Sequence, residues 1–379
     1  MTLEEIRREI DKTDRDLLDA FCRRMELAGE VAKVKKGQNL PLRHPARERE
    51  ILARVSQDAG EFGRWARVLY STLIDVSCSY QEQLLTEEGE LTRDIRRALE
   101  ETPTLFPTDG TVACQGVEGA YSSGAACRLF PAGNLMFFRS FEHVFDAVES
   151  GLCRYGVLPI ENSSNGSVST VYELMKSKNF HIIRSVRLNV CHQLLALPGT
   201  KLEDIREITS HEQALGQCGA FLKSLPQVTV TAAPNTAVAA QRVAESGRRD
   251  LAAIASPQCA ALYGLSPIAD RIQNSENNHT RFICIQKEMH IYPGADRISL
   301  MLSAPHRPGG LYELIAKFSA LGLNLTKLES RPIPGRDFEF LFYFDFEGSV
   351  HSPEVLTLLQ SLSHECETFA FLGNYSEQL

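Results

Sequence analysis

From Leu3 to Lys36 the chain contains no proline, and Gly29 is its one weak helix former. Apolar side chains at Ile6, Ile10, Leu17, Phe21, Ala28 and Val31 recur at three- and four-residue steps, the stripe of a long amphipathic helix. At full length such a helix is roughly 50 Å long. That exceeds the diameter of a small domain. The helical patterns that follow, Ala46–Ser56 and Arg64–Leu85 after a turn over Gly37–Pro45, are too short to cover the stripe. A second copy of the chain is the natural cover, so residues 1–90 predict a helical homodimer.

A polar linker over 91–110 separates this segment from a different texture. Thr111–Gln115, Tyr155–Pro159, Arg184–Leu197, Glu207–Ser210, Val228–Ala232, Ala252–Ala255 and Thr280–Gln286 read as strands. Helical patterns such as Ser140–Glu149, Gln213–Ser224 and Asn235–Glu245 lie between them. This alternation predicts an α/β sheet over 111–290, long enough for two lobes and a cleft. Residues 296–379 repeat a βαββαβ order, the ferredoxin-like α+β arrangement, with Phe338, Phe340, Phe342, Phe344 and Phe346 alternating along one half-buried strand.

Composition narrows the function. The net charge of −8 argues against a wide nucleic-acid surface, and no apolar run is long enough to span a bilayer. The charged, periodic start predicts neither a signal nor a transit peptide. Ten cysteines without Cys-x-x-Cys or zinc spacing predict reduced thiols in the cytoplasm and no metal site.

Arg24 and Lys35, eleven residues apart, fall about 20° from alignment on the face that carries Ala28 and Val31. Their Cα atoms are roughly 16 Å apart, a span across which two long side chains can hold a small anion. Pattern alone leaves snorkelling at the core rim as the commoner explanation. Arg7 lies about 100° around the helix from Arg24, so only a dimer partner can bring it to the same pocket. Arg47 and Glu48 open the second helix, and Ser77 and Gln81 stand at i, i+4 on the third; each taken singly reads as an ordinary surface position.

In the central region Leu158-Pro159-Ile160-Glu161-Asn162-Ser163-Ser164-Asn165-Gly166 leaves an apolar strand. Asn278-His279-Thr280-Arg281-Phe282 enters another, and Ser210-His211-Glu212-Gln213 through Gln217-Cys218 runs from strand to helix. Singly these read as turns and caps. In the tail, Pro308-Gly309-Gly310-Leu311-Tyr312 joins strand to helix, where close backbone approach and helix N–H groups suit a carboxylate; a plain tight turn is the alternative.

Taken together the motifs resemble known families across nearly the whole chain. Ile6-Arg7-Arg8-Glu9-Ile10, Arg23–Ala28, Val31–Lys35, Arg47-Glu48-Arg49 and Ser77 with Gln81 resemble the all-helical chorismate mutases. Gly116–Ser122, the Glu161-Asn162 turn, Ser210-His211, Tyr263-Gly264-Leu265 and Thr280-Arg281-Phe282 resemble the prephenate dehydratases, whose fold is like that of type II periplasmic binding proteins. Leu328-Glu329-Ser330-Arg331-Pro332 with the double glycine resembles the ACT domain of such dehydratases. The resemblance implies that Arg7 (from the partner subunit), Arg24 and Arg47 take the carboxylates of chorismate. Lys35 and Gln81 then reach its ether oxygen, Glu48 its ring hydroxyl, and Ser77 makes a lesser contact. It makes Thr280 the donor to the leaving hydroxyl of prephenate, with Glu161, Asn162, Ser163 and Gln217 around the substrate and Arg281 near a carboxylate or as a structural partner. Gly309, Gly310, Leu311, Glu329, Ser330 and Arg331 would bind L-phenylalanine as inhibitor. No cofactor is implied. Departures from the families include His44 for Asp, Glu212 for Pro, Ala120 for Thr or Ser, and Gly310 for Ala. Arogenate as substrate, or a non-catalytic amino-acid sensor, are the rival readings; Arg47, Glu48, Gln81 and Thr280 together favour the enzyme.

Overall fold

A computed structural model describes residues 1–379 apart from Asn39, Leu42, residues 86–88, Asn165 and residues 334–339, and apart from the side chains of Glu82 and Gln83. Asn165 and Phe338 therefore lie outside the described residues. The chain forms two compact units, Met1–Arg93 with Pro353–Glu365, and Asp94–Ser352 with Cys366–Leu379.

The first unit is helical. Helix α1 (Leu3–Gln38) packs against α3 (Gly63–Leu85), and α2 (Pro45–Asp58) against α3. Ala28, Gly29 and Ala32 are the buried residues of α1. A Cβ on Gly29 would stand 3.3 Å from Leu84, so the weak helix former is a close-packing position. Pro45 opens α2, where its missing N–H costs nothing, and His44 Nδ1 caps the helix by accepting from Arg47 N at 3.2 Å. Ile6, Ile10, Leu17, Leu18, Leu27, Val31 and Val34 on α1 and Trp65 on α3 are exposed in the single chain, Leu17 at 56%. The stripe that the periodicity predicts is present, and its N-terminal part is bare.

The segment read as a linker begins with helix α4 (Glu90–Glu101). Its polar composition hid an i, i+3 pair, Ile95 and Ala98, that is almost fully buried. The second unit then builds β1 (Asp109–Gln115), α5 (Tyr121–Leu129), β2 (Ala132–Phe138), α6 (Phe141–Glu149), β3 (Tyr155–Asn162), β4 (Gly166–Ser167), α7 (Ser169–Ser177) and β5 (His181–Asn189). It continues with β6 (Gln193–Ala196), β7 (Glu207–Ser210), α8 (Glu212–Gln217), α9 (Gly219–Lys223), β8 (Thr229–Ala232), α10 (Thr236–Ser246), β9 (Leu251–Ala255), α11 (Pro257–Tyr263), β10 (Ser266–Ala269) and β11 (His279–Gln286).

These strands form two sheets, β16-β5-β11-β3-β1-β2 with β4 beside β3, and β10-β6-β9-β7-β8; β16 is the C-terminal pair Glu377–Gln378. The run Arg184–Leu197, which reads as one strand, is two strands in different sheets. The chain crosses between lobes at residues 190–192 and returns at 270–278. The crossovers are bonded together, Val190 N to Asn278 O at 2.7 Å and Ile272 N to His192 O at 3.1 Å. Glycines at 116 and 119 take positive φ, and a Cβ on Gly119 would press on Leu262 and Cys259 of the second lobe.

The tail has the predicted βαββαβ order: β12 (Arg297–Ser303), α12 (Gly310–Ala320), β13 (Leu325–Pro332), β14 (Phe340–Glu347), α13 (Pro353–Glu365) and β15 (Phe369–Tyr375). Its antiparallel sheet runs β13-β14-β12-β15. Phe344 and Phe346 pack on Phe318 of α12 with centroids 5.3 and 5.1 Å away, while Tyr343 and Asp345 project from the other face.

Candidate active sites

In the helical unit α1 and α3 bring Arg24 to Ser77. The guanidinium Nη1 donates to Leu73 O at 3.0 Å and to Ser77 Oγ, and Ser77 in turn donates to Leu73 O. Gln81, one turn on, is nearly buried; its Nε2 donates to Ser77 O at 3.1 Å and its Oε1 has no partner among the described residues. Glu48 presents a buried Oε1, also without a partner there. Arg43 holds the other end of this pocket, 2.5 Å from Asp75 and 3.7 Å from Glu48. Burial pushes the Cys78 thiol up, and the charges of Arg43, Glu48, Asp75 and Lys35 all act on it. Arg24, Ser77 and Gln81 are thus bonded together, and Glu48 stands with Arg43 and Asp75. Arg47 pairs with Glu50 at the surface. Arg7 is exposed, roughly 25 Å along α1 from Arg24, and does not join the cluster within one chain.

In the second unit the antiparallel pair β3–β11 sets Asn162 opposite Thr280 and Glu161 opposite Arg281. Successive side chains on a strand face opposite ways, so this register sorts the four residues onto two faces. On the first, Asn162 Nδ2 donates to Thr280 Oγ1 at 2.9 Å, to Asn278 Oδ1 at 2.8 Å and to His279 O at 3.2 Å. Thr280 accepts from Asn162 and keeps its own O–H proton to donate. Asn278 belongs to the wall of an interlobe cavity of about 370 Å³, with Ser164, Gln213, Gly216, Gln217, Gln273, Asn274 and Ser275. Every one of these is neutral. Ser163, outside that wall, is bonded to Asn277 O and His279 N.

On the opposite face Arg281 Nη2 lies 2.5 Å from Asp345 and 3.1 Å from Glu161, and Lys327 Nζ is 3.1 Å from Glu161. Burial opposes the charge on Arg281, but Asp345, Tyr375 and Glu161 together outweigh it and hold the guanidinium protonated well above its ordinary range. Glu161, read as a substrate contact, is placed here with the tail sheet instead of with Asn162 and Thr280, and Arg281, read as a carboxylate contact or a structural partner, lies beside it as a partner of Asp345. Glu329 joins them: it accepts from Ser167 Oγ and pairs with Lys327 at 3.4 Å and Arg331 at 2.5 Å. Burial raises its pKa, and Ser167, Lys327 and Arg331 together bring it below the ordinary carboxylate range. Ser330, on the other face of β13, is exposed, so the residues read as one effector site divide between two faces. Gly309 caps α12 at φ 85°, and a Cβ on Gly310 would stand 2.2 Å from Pro305 O. That backbone excludes the alanine that is usual at position 310, and Leu311 follows, half-buried, in the first turn.

Arg43, Asn278, His192, Lys327 and Asp345 were missed in the sequence. Asn278 alone carried a signal, standing two residues before Thr280 and just ahead of β11.

The geometry sets a cluster of polar and charged side chains in the helical unit and a neutral cleft beside a bonded Thr–Asn pair in the second. Comparison with known proteins agrees. The chorismate mutase type II family model matches residues 6–82 and the prephenate dehydratase model residues 112–290. A bifunctional chorismate mutase/prephenate dehydratase of Stutzerimonas stutzeri is 31% identical over 98% of this chain and 97% of its own. An arogenate dehydratase/prephenate dehydratase of Arabidopsis thaliana is 38% identical over 73% of this chain and 76% of its own. Among solved structures, a prephenate dehydratase from Arthrobacter aurescens in complex with L-Phe is 27% identical, with a TM-score of 0.64 over 70% of this chain and 90% of that one. The chain belongs to the bifunctional chorismate mutase/prephenate dehydratase family.

Proposed function

We propose that the helical unit rearranges chorismate to prephenate and that the two-lobed unit converts prephenate to phenylpyruvate, under feedback by L-phenylalanine at the tail, an ACT domain. The first reaction is pericyclic and needs no nucleophile. Arg24 and Lys35, with Arg7 from the partner subunit of a homodimer and Arg47, hold the dicarboxylate compact. Lys35 and Gln81 donate to the breaking ether oxygen, and Glu48 Oε1, without a partner among the described residues, accepts from the ring hydroxyl. The surface pairing of Arg47 with Glu50 means that Arg47 must turn inward to take part.

In the second reaction the ring carboxylate leaves as carbon dioxide, its bonding pair enters the ring, and the C–O bond to the ring hydroxyl breaks. The departing hydroxide takes up a proton from solvent and leaves as water. Thr280 donates its O–H to that oxygen as charge develops. An arginine on the departing carboxylate would stabilise its charged ground state and oppose the loss of carbon dioxide. The neutral wall of amides and hydroxyls supports this reading, and the observation that carries it is Thr280, its lone pair taken by Asn162 and its proton available.

Glu161 and Arg281 then serve to hold strands β3 and β11 against the tail sheet rather than to touch substrate. The experiment is phenylpyruvate formation from chorismate by the purified protein with no added cofactor, with and without L-phenylalanine. Product that falls with phenylalanine supports the whole reading. Product from prephenate alone removes the mutase, and none from either substrate removes the enzyme reading.

A further inference from the structure

His192 lies in the first crossover between the lobes and is 2% exposed. Its backbone joins the crossovers, N–H to Gln273 Oε1 at 3.0 Å and O from Ile272 N. These bonds persist whatever side chain stands there. The ring does something else. Its Nε2 is 2.9 Å from Gln217 Oε1, its Nδ1 is buried with no partner among the described residues, and Tyr121 stands edge-on to it at 6.1 Å. Gln217 belongs to the cleft wall, and its backbone carbonyl is fixed by Asn274 N at 2.6 Å, which leaves the side-chain amide to His192.

A glutamine amide has a donor end and an acceptor end, and a carboxylate oxygen, which only accepts, can meet only the donor end. With the ring protonated at Nε2, Gln217 Oε1 is engaged and both amide hydrogens are left for the cleft. The reverse orientation sets an N–H against Nε2, which must then be bare. The ring proton moves to Nδ1, a buried donor with nothing to receive it. Burial also lowers the pKa of His192, so the ring stays neutral and the second proton that would bring the same penalty is kept off.

We propose that His192 is a positioning residue of the dehydratase site, turning Gln217 so that its amide N–H groups face the cleft and meet a carboxylate oxygen of the substrate. This rests on the reading that the cleft takes prephenate. A residue of this kind acts only through Gln217, which separates it from a merely structural crossover histidine.

The test is a double-mutant cycle on the full chain, with prephenate as substrate and turnover of chorismate to prephenate as an internal check on the protein. His192→Leu raises KM about ten-fold with a smaller change in kcat, the loss of one hydrogen bond to a charged group. Gln217→Met gives the same shift, and the double variant is no worse than either alone. His192→Gln, whose amide nitrogen extends to about where Nε2 lies, restores KM to within about three-fold of the parent, whereas the shorter His192→Asn does not. Losses that multiply in the double variant overturn the proposal, as does a fall in kcat alone or a failure of His192→Gln to rescue. Gln217→Met with parental kinetics overturns both the proposal and the placing of Gln217 at the substrate. If His192→Leu does not fold, His192→Asn replaces it in the cycle with the same expectations.

Discussion

Thr280 shows how one side chain is prepared by its neighbours. A hydroxyl is both donor and acceptor, and left alone it rotates to whichever partner is nearer. Asn162 removes that freedom by occupying a lone pair at 2.9 Å, and Asn162 is itself fixed through Asn278 and His279. The arrangement requires an O–H at position 280, not the threonine methyl. Thr280→Ser therefore keeps most dehydratase activity, whereas the isosteric Thr280→Val lowers kcat by about 10²–10³, the usual cost of removing one preorganised donor. Steady-state rates with prephenate measure this. Equal losses for Ser and Val would mean that packing at position 280, and not the hydroxyl, is what matters.

Strands β3 and β11 carry this chemistry on one face and an ion network on the other, and the one-residue alternation of a strand is the whole reason. The network joins two charges from these strands to Lys327 and Glu329 of β13 and Asp345 of β14. Asp345→Asn leaves Arg281 buried with Glu161 as its remaining carboxylate partner. The expected loss is about 3 kcal/mol of stability, the lower end for one partner removed from a buried pair. Calorimetry of the second unit's transition checks it, and an unchanged melting temperature would show the pair to be neutral. The two faces were only half legible in the sequence. Period-two patterns revealed the strands, but the partner of each face depends on register, which no local pattern specifies. The same limit explains why Arg184–Leu197 read as one strand: both pieces are apolar and extended, and only the distant pairings of Val190 and Ile272 show where the chain changes sheets. Helix α4 escaped notice because two buried residues among charged ones make a narrow stripe. Long periodicity, by contrast, revealed α1, and the alternation of strands and helices revealed the tail, because those signals repeat, while the two lobes followed from length and the family resemblance alone.

At the scale of the molecule, burial of histidine sets an acid limit. His181 and His192 both have their pKa lowered, in each case first by burial. The unfolded chain takes up these protons near pH 6.5, and the folded chain takes them up only at lower pH. Their contribution to stability is complete above about pH 6.5 and is lost as pH falls through the folded values, so the melting temperature at pH 5.5 lies below that at pH 7.5. A flat profile across that window would contradict the burial of the two rings. The bare stripe of α1 leads to a sharper expectation. Arg24 lies in the helical cluster of its own chain and the charge of Lys35 acts on Cys78, whereas Arg7 is exposed far along the helix. If the partner subunit supplies Arg7, then Arg7→Ala and Lys35→Ala damage opposite sides of each shared pocket. Either variant alone forms dimers in which both pockets are broken. Mixed, unfolded and refolded together in equal amounts, half the dimers are heterodimers. In each heterodimer one pocket combines Lys35 of the first chain with Arg7 of the second and is whole, while the other lacks both. Random pairing in a two-fold dimer thus restores about one quarter of the parental mutase activity. Dehydratase activity, which needs neither residue, stays at its parental level and shows that the refolded chains are intact. Recovery near that quarter places Arg7 in trans. No recovery beyond the sum of the separate variants, with heterodimers demonstrated by differently tagged chains, means that each pocket is built from a single chain.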